Sequence, residues 1–403
     1  MNNNIEKISP FTPGSPVPFE LFTGRYDKMQ EILRYVKQAS AGRQENIFLM
    51  GDRGIGKSSL ASFLRYLVTT QHNLLSIHVL LGGVSSLEEM VRRILDELLK
   101  EAKTQKWYDK VAKLFGDYVH QVGLFDISVT FTPPEKDLRD LVRTFHEALS
   151  KLLEKLFGER EGLFIMLDDI DALVENAEFA NWYKSFVDNI ATHYTVFPVA
   201  IMLVGLPEKR DILATNQPSL MRIFRVVEIE RLSDDEVSAF ISKAFKKAGV
   251  KVKKGAMKHM VDYSSGLPIM MHEIGDAVFW EDKDGTIDEG DVFGGVVKAA
   301  ENVGQKYLIP KVYHAIRSTR YGAILRKLGD RKLATSRYFK KRDLEAELNN
   351  GEKKVLDNFL KKMRDLGVIE LDIEKGSGAY RFVNDIYPVY IWLESRRAEG
   401  KRT

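Results

Sequence analysis

Two groups of residues carry types and spacings that could do chemistry. The first is Gly51-Asp52-Arg53-Gly54-Ile55-Gly56-Lys57-Ser58-Ser59, which contains the spacing G-x-x-x-x-G-K-S. Its glycines let the backbone turn tightly and approach an anion without Cβ obstruction. Loop amides and the N-terminus of a following helix would then point at phosphate oxygens. Lys57 is expected to reach the β- and γ-phosphates of ATP, and the Ser58 hydroxyl to hold Mg²⁺. The second group closes the apolar run Leu163-Phe164-Ile165-Met166-Leu167 with Asp168-Asp169. Asp168 is expected to hold Mg²⁺ through water together with Ser58. Asp169 is expected to orient or deprotonate an attacking water. Asp171, close behind, reads as a cap or surface acid. The chemistry predicted is hydrolysis of ATP to ADP and phosphate, with Lys57 and Asp169 as catalytic groups.

These residues need elements to hold them. Ile47 to Met50 reads as a buried strand before the Gly-rich loop, and Ser59 to about Thr69 as the helix after it. Leu74 to Leu81 reads as a second strand. Gly162 to Leu167 and Val196 to Val204 are continuous apolar strands, the pattern of central parallel positions. Val226 to Ile229 is a shorter one. Met29, Ile32, Leu33 and Val36 mark one face of a preceding helix. Ser85, as N-cap with Glu88 three residues on, is expected to open another. Val122-Gly123-Leu124-Phe125 and Ile127 to Phe131 suggest a small β-hairpin, and one long helix is expected from about Glu135 to Phe157. Strands alternating with helices imply a doubly wound parallel sheet, so the fold class is α/β.

The chain has 403 residues, enough for two or three domains, and its apolar fraction of 44% suffices for real cores. It has no cysteine, which excludes disulfides and thiolate metal sites and fits a cytoplasmic location. The first residues lack a signal-peptide pattern, and no apolar run reaches the ~20 residues of a membrane span, so no membrane partner is expected. Charge is uneven. Residues 305–403 hold 23 Lys and Arg against 13 Asp and Glu, whereas residues 1–304 hold 37 against 44.

The Gly51 to Ser58 loop, Leu163 to Asp169, Phe22-Thr23-Gly24-Arg25 and Gly266-Leu267-Pro268 together resemble the AAA+ ATPases, in the branch near the initiator (origin-recognition) and STAND ATPases. The resemblance covers about residues 19–280. It implies an AAA+ core with a helical lid, in which Pro268 opens a lid helix near the nucleotide. It also implies a nucleotide-site role for Arg25, with a structural ion pair as the alternative. An arginine reaching into a neighbouring subunit's site is implied in the region of Arg222 and Arg225, and Arg222 is the one favoured. Self-association through the nucleotide site follows. Two departures point to a slow switch rather than a fast motor. The lid helix offers His272 where many relatives have arginine, and Gly205-Leu206-Pro207 stands where many place a polar sensor residue.

Four segments are expected: an extended Pro-rich lead-in over 1–20, the nucleotide-binding α/β domain over 21–231, a helical lid and linker over 232–295, and a last domain over 296–403. The acidic, Gly-rich stretch Glu281 to Gly295 reads as the linker. The last domain resembles a winged helix, with a third helix over 352–366. Leu356, Phe359, Leu360 and Met363 form one face of it, and Lys353, Lys354, Lys361 and Lys362 lie on the other. That basic face fits phosphate contacts with duplex DNA, and Lys340, Lys341, Arg342 and Arg381 add to it. The rival reading is a STAND-like, ATP-controlled scaffold or sensor whose last domain binds a protein partner.

Overall fold

The computed structural model describes residues 8–103, 105–122, 128–330 and 338–400. The chain divides into two units, residues 24–230 and residues 1–23 with 231–403.

The unit of residues 24–230 is built on β1 (Glu45–Met50), β2 (Leu75–Leu80), β5 (Leu163–Asp168), β6 (Val199–Gly205) and β7 (Phe224–Glu228). All pair in parallel, in the order β2-β5-β6-β1-β7. β5 and β6 are buried along their whole length, as their apolar runs require when helices cover both faces. Those helices are α1 (Tyr26–Ser40), α2 (Lys57–Gln71), α3 (Leu87–Lys103), α4 (Tyr108–Phe115), α5 (Glu135–Arg143), α6 (Phe145–Leu156), α7 (Ala177–His193) and α8 (Pro207–Asn216). An antiparallel pair, β3 (Val119–Val122) and β4 (Ser128–Phe131), stands where the hairpin was expected. Residues 123–127 of that hairpin lie outside the described residues.

Two local readings shift. Helix α3 is opened by Ser86, whose Oγ accepts the Glu89 amide at 3.2 Å, one residue after the expected cap Ser85. The single helix expected over 135–157 breaks at Thr144 (φ −106°, ψ 25°), whose hydroxyl donates to the Asp140 carbonyl at 2.9 Å. That bond competes with the helical ladder.

The other unit begins with α9 (Asp234–Lys247), β8 (Lys251–Val252), α10 (Lys254–Ser264), α11 (Pro268–Glu281), β9 (Thr286–Ile287) and α12 (Glu289–Val303). Ser233 and Glu236 form a capping box at α9. The expected linker over 281–295 instead contains a short strand and the first half of a helix, and α12 runs across the expected boundary at 295/296. Its acids are structural. Asp288 and Asp291 make a capping box, and Val292, Val296, Ala299, Ala300 and Val303 form the buried stripe behind it. The N-terminal lead-in joins this unit's core. Phe11 is buried against Phe240, Phe245 and His272, and the Thr12 amide donates to His272 Nδ1 at 2.9 Å.

A π-helical stretch over 304–313 that contains Pro310 leads into α13 (Thr319–Asp330), β10 (Tyr338–Lys340), α14 (Lys341–Ala346), α15 (Asn350–Lys353), α16 (Leu356–Asp365), β11 (Ile369–Leu371), β12 (Ala379–Phe382) and α17 (Tyr387–Gly400). The strands form an antiparallel sheet in the order β10-β12-β11, and α17 packs on α13 and α12. The helix expected over 352–366 is two pieces, parted near Val355 (φ −114°, ψ 2°). Asn349 and Glu352 close a capping box on α15, and Lys327 Nζ holds the buried Glu352 carboxylate at 2.7 Å, so that turn is fixed separately. Among the described residues, no helix is long and apolar enough to cross a membrane.

Candidate nucleotide site

The loop after β1 and the acids after β5 emerge on the same edge of the sheet. β6 lies between their strands, so the two ends sit two strand spacings apart, roughly 10 Å. This is the edge at which open α/β sheets bind ligands.

Within the loop, Gly54 (φ 73°) and Gly56 (φ 91°) hold left-handed backbone that favours glycine. Gly56 is the residue from which α2 starts, so the loop's last amides and the first turn of the helix point the same way. Lys57 Nζ donates to the carbonyls of Gly51 at 2.7 Å and Asp52 at 2.9 Å. Burial pushes the Lys57 ammonium below its ordinary value, against the pull of Asp168, Asp171 and Asp52. Arg25 is buried and braces the loop from behind. Its guanidinium donates to the carbonyls of Ile55, Gly56 and Glu230. It meets the loop through the backbone. Asp52 and Arg53 are exposed, and Arg53 Nη2 lies 3.7 Å from Asp171 Oδ2.

The two consecutive acids have opposite electrostatics. Burial works against ionising Asp168, but hydrogen bonds from His78 and Ser58 outweigh it and hold the carboxyl below the usual range. Asp169 is raised, first by burial and then by the charges of Asp171 and Asp168. It sits in left-handed backbone (φ 58°), and a Cβ on the facing Gly82 would lie 2.9 Å from its Oδ2. One acid is thus kept ionised and anchored, while its neighbour is a stronger base, which is the division of labour that cation binding and water activation need. Asp171, expected at the surface, is only 19% exposed at the side chain and faces Asp169 and Lys57.

Sequence reasoning missed His78. Its Nε2 lies 2.9 Å from Asp168 Oδ2, and its Nδ1 lies 3.2 Å from Ser62 Oγ on α2. His78 is in register with Met166, two residues before Asp168, so both side chains leave the sheet on one face. A histidine inside a largely apolar strand was the available signal, but its partner depends on the β2-β5 pairing.

Pro268 opens α11 in the other unit, and its neighbour His272 is a packing residue, with its pKa lowered to about 4 by burial. Arg222 and Arg225 flank the start of β7, at the opposite edge of the sheet from the loop. β1 alone separates the two edges by roughly 17 Å. Both arginines line a cavity of about 440 Å³ with Arg43, Glu45, Asn46 and Tyr194. Arg225 is tied to Glu45 at 3.4 Å, whereas Arg222 is exposed and has no ion pair among the described residues. Toward the C-terminus Lys353, Lys354 and Lys361 are exposed and Lys362 is half-buried, and none has an ion pair among the described residues. Lys353 lies on α15, Lys354 in the step after it, and Lys361 and Lys362 on α16. The supporting cations differ. Lys341 is bound to Asp357 and Arg381 to Glu370, so their charge is already met.

Residues 21–182 match the AAA ATPase domain family. No curated protein matches the sequence. Among solved structures, the chain is similar to the ORC2 protein of Aeropyrum pernix in its ADPNP-ADP complexes, with TM-score 0.56 and 13% identity over 97% of this chain and 98% of that one. It is also similar to Cdc6p from Pyrobaculum aerophilum, with TM-score 0.43 and 14% identity over 97% and 98% of the two chains. The likeness to ORC2, at 13% identity, is one of fold. The matched stretch, residues 21–182, is an AAA ATPase domain, and it holds the Gly-rich loop and both acids in the geometry described.

Proposed function

We propose that this chain is an ATP-hydrolysing switch that assembles with copies of itself or with partners and engages duplex DNA through its C-terminal domain. The observation that carries the nucleotide half is the convergence of Lys57, Ser58, Asp168 and Asp169 at one edge of the sheet. The donor set suits Mg²⁺, since an ionised carboxylate and a hydroxyl are hard oxygen ligands. Among the described residues, no group of three or more His, Cys, Asp and Glu could hold a metal alone, so the nucleotide's own phosphates would complete the coordination. When bound, Mg²⁺ supplies charge neutralisation on the β- and γ-phosphates.

The chain's residues divide the remaining work. Loop amides and Lys57 bind the phosphates. Ser58 and Asp168 hold the cation's position, and Asp169 accepts the proton of the attacking water. Arg25 keeps the loop carbonyls turned away from the phosphates. Arg222 lies at the wrong edge to serve its own nucleotide and serves a neighbouring copy's instead, which makes self-association part of turnover. The absence of a polar side chain in Gly205-Leu206-Pro207 and of an arginine beside Pro268 supports slow turnover. The absence of cysteine fits a cytoplasmic setting.

DNA binding is supported by the helix–strand–helix–helix–helix–strand–strand order of residues 319–382, which fits a winged helix whose third helix is in two pieces, and by four lysines that have no ion pair among the described residues. A second reading, protein recognition, is favoured by the wing itself. Leu371 is 48% exposed and Ile373 88%. Light-scattering mass measurement with ADP and with a slowly hydrolysed ATP analogue, each with and without duplex DNA, separates the two. A larger assembly with the analogue that carries DNA supports the proposal. An assembly that never carries DNA leaves the scaffold reading, and no change with nucleotide overturns the switch.

A further inference from the structure

The contact between His78 and Asp168 is not explained by packing alone. Asp168 is 4% exposed at its side chain and His78 9%. An ionised carboxylate only accepts hydrogen bonds, so Nε2 carries the proton and donates to Oδ2 at 2.9 Å. In the neutral ring Nδ1 is then the acceptor, and the Ser62 hydroxyl donates to it at 3.2 Å. The result is a one-way chain of donors, Ser62 to His78 to Asp168, that spans α2, β2 and β5. These are the helix after the phosphate loop, the edge strand of the sheet and the strand that delivers the acids.

We infer that His78 is a positioning residue for Asp168: it fixes the carboxylate's orientation, so that the Ser58–Asp168 pair presents a preset cation site. This rests on the reading of Ser58 and Asp168 as the Mg²⁺-holding pair. The physical reason is that a buried carboxylate oxygen without a donor must turn toward one. His78 removes that freedom at Oδ2 and leaves the other lone pairs for Ser58 and the cation's shell. Ser62 in turn fixes the tautomer and the plane of the ring. Partners of this kind typically change metal affinity 10–100-fold when lost.

The test is an Mg²⁺ titration of a fluorescent ATP analogue's binding to the full chain, with EDTA as the metal-free reference. His78→Leu should raise the Mg²⁺ concentration needed for half-maximal enhancement by about tenfold or more. Its affinity in EDTA should match the parent's, because Lys57 and the loop amides are untouched. His78→Gln places an amide donor close to the position of Nε2 and should restore most of the Mg²⁺ response. Ser62→Ala should shift it in the same direction as His78→Leu but by less, and this variant and His78→Gln decide the matter if His78→Leu does not fold. The inference is overturned if His78→Leu titrates like the parent, or if Gln is as impaired as Leu, which would make the role one of bulk. A parent that binds the analogue without any Mg²⁺ response removes the Ser58–Asp168 reading itself and the inference with it.

Discussion

Arg225 Nε lies 3.4 Å from the buried carboxylate of Glu45, and its guanidinium sits 5.6 Å from the ring centre of Tyr35. That arginine is committed to its own fold. Arg222, three residues earlier, is not, and the difference assigns them separate roles. Arg222→Ala should leave ATP affinity unchanged and lower turnover by roughly a thousandfold, the scale of a lost arginine finger. Mixing Arg222→Ala with Lys57→Ala should recover activity, since the second variant lends its arginine to the first variant's nucleotide. A mixture as inactive as its components would count against action in trans. Arg225→Ala should instead destabilise the fold by about 1–2 kcal/mol, because Glu45 loses its partner while half the arginine already faces water. Thermal melting reads this directly.

The loop and its acids give a separable set. Lys57→Ala should abolish ATP binding in a folded protein. Asp169→Asn should bind Mg·ATP nearly normally and turn over at least ~100-fold more slowly. Asp168→Asn should weaken the dependence on Mg²⁺ instead. Equal turnover in Asp169→Asn and the parent would transfer the water-positioning role to Asp171.

The acid limb of the pH profile adds a sign. Asp169 must be ionised to take a proton, and burial followed by the charge of Asp171 raises its pKa. Turnover should therefore fall, as pH drops, earlier than for an ordinary aspartate. Asp171→Asn removes one of the two neighbouring charges and should move the kcat limb to lower pH. Movement the other way would mean that Asp171 does not face Asp169.

How much of this was legible depended on whether the cause was local. The phosphate loop is specified by Gly54, Gly56 and Lys57 within four residues, and the apolar runs of β5 and β6 announce buried strands without outside help. The stretch 281–295 misled because helix caps and linkers draw on the same residues. Asp288, Gly290 and Asp291 read as a loop until the stripe from Val292 to Val303 is seen to be buried. His78 and Phe11 were beyond reach for another reason. The partner of His78 lies 90 positions away and is set by strand order, and Thr12, next to Phe11, bonds a residue 260 positions on. No period in a sequence encodes such a meeting.

His272 makes the seating of the N-terminal lead-in sensitive to acid. Its folded pKa is depressed from 6.5 to about 4 by burial, so the native state holds it neutral and accepts the Thr12 amide on Nδ1. A depressed pKa contributes stability that is present above about 6.5 and lost as pH falls toward 4. That depression corresponds to roughly 3 kcal/mol. Carboxylates titrate in part of the same window, so the informative quantity is the difference between the parent and His272→Asn in denaturant midpoint from pH 7 to 4. The parent should lose more stability than the variant, and parallel curves would mean that the ring is accessible to protons in the folded protein.

The two readings of the C-terminal domain part on salt. If Lys353, Lys354, Lys361 and Lys362 neutralise DNA phosphates, each contact releases counterions. The logarithm of affinity should then fall linearly with the logarithm of salt, by about 0.9 per contact. Four contacts give a slope of about −3 to −4 for the full chain with ATP. Lys341 and Arg381 are met by Asp357 and Glu370, so they should add little to that slope. Replacing the four lysines with Ala should flatten the dependence and weaken binding to most sequences alike, while ATP binding at Lys57 and Ser58 survives. Binding that ignores salt, or that survives the fourfold replacement, would remove these lysines from the interface. No binding at any salt would leave the exposed Leu371 and Ile373 as the domain's recognition surface and a protein as its partner.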